Sequence, residues 1–118
     1  MKYDKNNIFA KIIKKELPAE IIYEDEYTLA FKDAYPVAPL HILVIPKGAF
    51  LDYADFISNS DKEAVSRFFF TINNLIKKLE LTSFRLITNK GAPSAQSVYH
   101  FHMHIISGKQ LKGLIADD

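Results

Sequence analysis

Residues 100 to 104 read His-Phe-His-Met-His, three imidazoles at strict alternation inside an apolar run from Val98 to Ile106. A period of two in apolar surroundings points to a β-strand, where residues i, i+2 and i+4 share one face. His100, His102 and His104 then stand in a row, with Tyr99, Phe101, Met103 and Ile105 opposite. The chain has one other histidine, His41. Imidazole changes charge near neutral pH, is nucleophilic when neutral and is the commonest metal ligand.

Three kinds of chemistry fit such a row. The first is a metal site, since two alternating histidines on a strand can serve zinc. Against it, alternate side chains of a strand lie about 7 Å apart, so three in succession rarely meet at one ion. There is no cysteine to help, and no Asp or Glu stands near the triplet in sequence to finish a site. The second reading makes the histidines a semi-polar sheet face, hydrogen-bonded to backbone. The third is nucleophilic catalysis at phosphorus: one imidazole carries the transferred group, and a second donates a proton or steadies an oxyanion. The loop ahead of the triplet supports the third, because Asn89, Gly91, Ser94, Gln96 and Ser97 bring small residues, amides and hydroxyls toward it, as a phosphate cradle does.

Other elements must hold this row in place. Ile8, Phe9, Ile12 and Ile13 predict a short amphipathic helix ending near Leu17-Pro18. Glu20 to Glu24 and Tyr27 to Asp33 read as a hairpin turning at Asp25-Glu26. Tyr35-Pro-Val-Ala-Pro39 is a stiff loop before the strand His41–Ile45. Ser60 with Glu63 forms a capping box that opens the one long helix, whose apolar stripe is Val65, Phe68, Phe69, Ile72, Leu75, Ile76 and Leu79. Phe70 falls on its opposite side, beside Arg67 and Asn74. Phe84 to Thr88 is the strand before the polar loop. The expected class is α+β: a mostly antiparallel five-stranded sheet with one long and one short helix, both packed on one face.

At 118 residues the chain suits one domain, 1–118, with no repeat or linker. Its 48% hydrophobic and 25% charged content is that of a folded protein. A net charge of +1 offers no footprint for nucleic acid. The charged first residues lack the apolar core of a signal peptide, and no run nears the roughly 20 apolar residues that span a bilayer. Zero cysteines exclude disulfides and fit a cytoplasmic setting.

His100-Phe-His-Met-His-Ile-Ile106 resembles the signature of the histidine triad (HIT) superfamily, and Gln96-Ser-Val-Tyr-His100 is similar to its Hint branch of nucleoside phosphoramidases. The likeness extends back through Ala38-Pro-Leu-His-Ile-Leu-Val-Ile-Pro-Lys47, Phe31-Lys-Asp33 and Leu17-Pro18 to Ile8-Phe9-Ala-Lys-Ile-Ile13.

The resemblance implies a HIT-like fold and a hydrolase that breaks P–N bonds of adenosine 5′-phosphoramidates. It makes His102 the nucleophile at the α-phosphorus and sets His104 against a non-bridging oxygen or the leaving group, with Ser97 alongside. His100 and His41 complete the imidazole network. It gives the ribose hydroxyls to Asp33, the phosphate region to Asn89, and the purine to Ile8, Phe9, Ile12, Phe31 and Leu43, an AMP-like ligand in all. For those apolar residues, ordinary core is an equal reading. No cofactor is implied, and a homodimer with Phe70 near its interface is. Cysteines and a histidine that bind a structural zinc in many relatives are replaced by Asn7-Ile-Phe-Ala10 and Pro46-Lys-Gly-Ala49, so no metal is expected. Ala95 stands where relatives often have Gly, and the tail Ser107–Asp118 lacks the Trp-Pro-Pro-like ending of many Hint proteins. Alternatives within the superfamily are a dinucleoside polyphosphate hydrolase and a nucleotidyl transferase. From another class, a nucleotide-binding regulatory protein with incidental catalysis is the alternative.

Overall fold

A computed structural model describes residues 1–115, so the end of the atypical tail, 116–118, lies outside the described residues. The elements run α1 (Ile8–Ile13), β1 (Ile21–Glu24), β2 (Thr28–Lys32), β3 (Leu40–Pro46), α2 (Tyr53–Asn59), α3 (Lys62–Lys78), β4 (Arg85–Ile87) and β5 (Met103–Ser107). The strands form one sheet in the order β1-β2-β3-β5-β4, and every pairing is antiparallel. The α+β reading and its five strands are what the structure has. The hairpin turn is held as an Asx turn, with Asp25 Oδ1 accepting from the N–H of Tyr27 and of Thr28, each at 2.8 Å.

The helices differ from expectation in several ways. They pack on both faces of the sheet, not one. Phe68, Ile72, Leu75 and Ile76 of α3, with Phe56 of α2, cover Ala30, Ile42, Val44, Phe101, Met103 and Ile105. On the other side Phe9 and Ile12 of α1 cover Leu29, Phe31, Leu43 and Ile45. The pattern of β2 and β3 requires this, because both are apolar on both faces and one layer of helices would leave a face wet.

Second, α2 is an additional short helix. Asp52 caps it by accepting from Asp55 N; Tyr53, Phe56 and Ile57 keep helical spacing, but over 7 residues with only Phe56 buried the period is too short to stand out. Third, the cap of α3 is Asp61, not Ser60: Ala64 N donates to Asp61 Oδ1 at 2.8 Å. Ser60 is used instead to end α2, and Glu63 reaches forward to Arg67 at 3.8 Å. Phe69, expected in the buried stripe, is exposed at its edge.

The first helix also stops earlier than Leu17. Asn7 Oδ1 caps it from Ala10 N at 2.9 Å, and Lys15 turns left-handed with φ 64°, which ends the winding. Lys15 then pairs with Glu24 at 2.7 Å, and Glu24 also takes Lys47 at 2.8 Å, linking the exit of α1 to β1 and to the end of β3. Among the described residues no helix is long and apolar enough to cross a membrane.

Candidate active site

Strand register brings His41 and the triplet together. In β3 and β5, Leu43 lies opposite His104 and His41 opposite Ile106, so His41 and His104 share the face that α1 only partly covers. Regular pairing of β5 begins at Met103, so His100 and His102 precede it. Their backbone bonds go elsewhere. Phe101 N donates to Phe50 O at 2.8 Å, and the His102 carbonyl accepts from Thr88 Oγ1 at 2.8 Å. The expected alternation survives: Phe101, Met103 and Ile105 enter the core under α3, while the three histidines take the other side.

Each imidazole has a hydrogen-bond partner that settles which nitrogen carries its proton. His102 Nδ1 lies 2.7 Å from the His100 carbonyl, which can only accept, so Nδ1 holds the proton and Nε2 keeps a free lone pair. His100 Nε2 lies 2.8 Å from the Pro46 carbonyl, so Nε2 donates, and Nδ1 accepts from the Tyr3 hydroxyl at 2.5 Å. Val37 N–H donates to His41 Nδ1 at 3.1 Å, which puts the proton of His41 on Nε2. That proton goes to His104 Nδ1 at 2.8 Å, and His104 therefore carries its own on Nε2 as a donor. A nucleophilic nitrogen and a proton donor thus sit on neighbouring rings, whose centroids are 5.2 Å apart.

Burial keeps the three rings of the triplet neutral. Burial, opposed by the bond to Pro46 and aided by His102, pushes the His100 pKa down to about 4. Burial first, then the neighbouring charges of His102 and His41, takes His104 to about 4 as well, against the pull of Asp33. His102 is also lowered, mainly by burial. A neutral His102 at pH 7 is the nucleophilic form.

Asp33 corrects one expectation. No acid stands near the triplet in sequence, yet Asp33 Oδ2 lies 3.3 Å from His41 Nε2. Its Oδ1 accepts from Tyr35 N at 2.8 Å. Asp33, His41 and His104 place ligand atoms within 4.8 Å of one another, so among the described residues this is the group that could hold a metal. Its two nitrogens, however, are 2.8 Å apart and share a proton. Nitrogens on one tetrahedral zinc, at about 2.0–2.1 Å from it, would stand wider than that.

The other anticipated residues divide. Phe9, Ile12, Phe31 and Leu43 form one cluster, each no more than 7% exposed, and Phe9 sets its ring against His102 with centroids 5.0 Å apart. So deep a cluster has little surface left for a ligand. Ile8, 55% exposed, has more. Ser97 is exposed and Asn89 half-buried, at the two ends of the loop between β4 and the triplet. That loop is tied by Gln96, whose Oε1 accepts from Gly91 N and whose Nε2 donates to the carbonyls of Leu51 and Val98. Ala95 is left-handed, φ 67°, a conformation that glycine takes without strain. Sequence reasoning missed Tyr3 and Thr88, and it named Gln96 as part of a phosphate cradle but not as the tie of its own loop. A buried glutamine beside a polar loop was a usable signal, but Tyr3 carried none.

The pattern of the HIT domain family matches residues 14–111. Over 115 residues the chain is 55% identical to an uncharacterized HIT-like protein of Rickettsia prowazekii, with 96% of each covered. It is 38% identical over 112 residues to adenylylsulfatase HINT1 of Arabidopsis thaliana, spanning 92% of this chain and 75% of that one. The solved structure of a histidine triad protein from Clostridium difficile superposes with a TM-score of 0.85 at 39% identity, covering 98% of this chain and 100% of that one.

Proposed function

The chain belongs to the HIT domain family, and on that premise we propose that it is a Hint-like hydrolase cleaving the P–N bond of adenosine 5′-phosphoramidates. One observation carries this reading: His102 offers a bare Nε2 while His104 offers an Nε2–H beside it. In the scheme, the His102 lone pair attacks the α-phosphorus and the P–N bond breaks. The leaving nitrogen takes the proton of His104, with the Ser97 hydroxyl alongside. The His102 ring, now joined to phosphorus and positively charged, is steadied through Nδ1–H by the His100 carbonyl. Water then attacks the phosphorus and returns a proton to His104, and the P–Nε2 bond breaks. His41 holds His104 in its donor form. Asp33, with acceptor sites left after the Tyr35 N–H, takes the ribose hydroxyls. Asn89 serves the phosphate, and the base lies over Ile8 and the rim of the Phe9 cluster. No metal or cofactor takes part in the scheme.

A second substrate class is favoured by the name of the Arabidopsis relative, an adenylylsulfatase. The same attack on an α-phosphorus would release sulfate in place of an amine. The test compares turnover of adenosine 5′-phosphoramidate, adenylyl sulfate and diadenosine tetraphosphate, with acid quenching to trap nucleotide on His102. Preference for the phosphoramidate with label on His102 is expected. Preference for the dinucleotide, or AMP binding without turnover of any of the three, overturns the reading.

The same proposal includes a homodimer. β4 is an edge strand; its Leu86 and the preceding Phe84 are exposed, and Phe70 of α3 is 66% exposed. A two-fold contact would bury each of these twice. Sedimentation should show a dimer at micromolar concentration, weakened by Phe70→Asp. A stable monomer rejects the dimer.

A further inference from the structure

We propose that Tyr3 is a positioning residue for the nucleophile, acting through His100. The proposal rests on the reading of His102 as nucleophile, and it begins from a buried lone pair. Because His100 Nε2 donates to the Pro46 carbonyl, Nδ1 is an acceptor, and the residue is 0% exposed. A buried acceptor without a partner is costly, and water is excluded from this one. The Tyr3 hydroxyl fills the position from 97 residues away, at 2.5 Å from Nδ1. Burial raises the Tyr3 pKa, so the phenol keeps the proton it donates.

The consequence reaches His102 through the backbone. The carbonyl that holds His102 Nδ1–H belongs to His100 itself. Tyr3 and Pro46 bond the two ring nitrogens of His100 from different parts of the chain, and Phe9 packs its ring near both His100 and His102. With both nitrogens held, the His100 side chain has one orientation, and its peptide carbonyl has one direction. That direction decides which nitrogen of His102 is free to attack. Removal of the Tyr3 hydroxyl frees the His100 ring to turn in search of a donor and lets His102 sample its other tautomer. The segment before α1 is thereby part of the nucleophile's support.

Nitrogen-15 imidazole spectra of the full chain, in wild type and Tyr3→Phe, test this alongside steady-state kinetics. Wild type should show His100 protonated on Nε2 with Nδ1 as an acceptor, and His102 protonated on Nδ1. In Tyr3→Phe, His102 should show a mixture of tautomers, and kcat should fall roughly tenfold with KM changed by less than about twofold. A proton on His100 Nδ1 in wild type overturns the proposal, whether or not the variant folds. An unchanged His102 spectrum, or a loss confined to KM, overturns it too. If wild type turns over no nucleotide substrate, the enzymatic reading falls, while the spectra still decide whether Tyr3 holds the two rings.

Discussion

Along the run from His100 to Ile105, consecutive side chains leave the backbone for opposite sides and meet opposite energetics. Phe101 and Ile105 are 0% exposed, and so is His100. Under α3, burial is itself the driving force: each large apolar side chain removed from water stabilises the fold by about 1.5–3 kcal/mol. Phe101 adds ring contacts to Phe56, stacked at 4.9 Å, and to Phe68 at 5.2 Å. On the side of α1, burial works against the charged state of each imidazole, and it costs stability wherever the unfolded chain would be protonated. The same exclusion of water that tightens one face lowers the basicity of the other. The comparison teaches that this sheet separates stability from reactivity by side-chain parity alone.

The sharpest way to break that comparison is to remove one side chain from each face. If His102 is the proposed nucleophile, His102→Ala should lower kcat by about four orders of magnitude, with AMP affinity changed only a few-fold. A loss of tenfold or less would place the nucleophile elsewhere. On the other face, Phe101→Ala should cost about 3–5 kcal/mol of unfolding free energy, read by denaturant titration, and leave kcat per folded molecule nearly intact. If Phe101→Ala removed kcat at unchanged stability, the division between faces would not hold.

Acid sharpens it next. His100 binds its proton near pH 4 when folded and near the ordinary 6.5 when unfolded. Above pH 6.5 both states are neutral there. As pH falls from 6.5 to 4, the unfolded chain takes up a proton the folded one refuses, and stability drops by about 3 kcal/mol at this position. Thermal melts across that window should show the drop, and His100→Gln should shrink it without abolishing it, because His104, also lowered to about 4, and His102 contribute in the same window. Activity should keep its neutral plateau to a pH below 6.5, because His102 is lowered in the same direction.

The smallest effect belongs to the acid at the rim. Asp33→Asn should weaken nucleotide binding by about 1–2 kcal/mol, with much less change for a 2′,3′-dideoxy analogue, as titration calorimetry would record. Equal losses for both ligands would assign Asp33 to His41 alone.

Parity, strand number and the family were legible because each is written in adjacent residues: His-x-His-x-His, Gln-Ser-Val, the alternation in 29–33. The layering was legible only in part. Residues 42 to 45 are apolar at every position, which says that both faces of β3 are buried but not which helix covers which. The cap of α3 was misassigned because Ser60 and Asp61 are both good caps. The choice went to Asp61 once α2, with its single buried Phe56, claimed Ser60 as its end. Asp33 looked distant from the triplet because sequence separation says nothing of register, and the register of β2 on β3 sets it against His41.

What the sequence determined by itself was the row of imidazoles and the face they occupy, because a two-residue period is a local property of the backbone. The tertiary structure alone decided their protonation. A tautomer depends on which carbonyl or hydroxyl faces each nitrogen, and here those partners are Pro46, Tyr3, Val37 and the His100 peptide, drawn from separate parts of the chain. Basicity depends on how much water the packing of α1 and the sheet leaves around each ring, a quantity that exists only after folding.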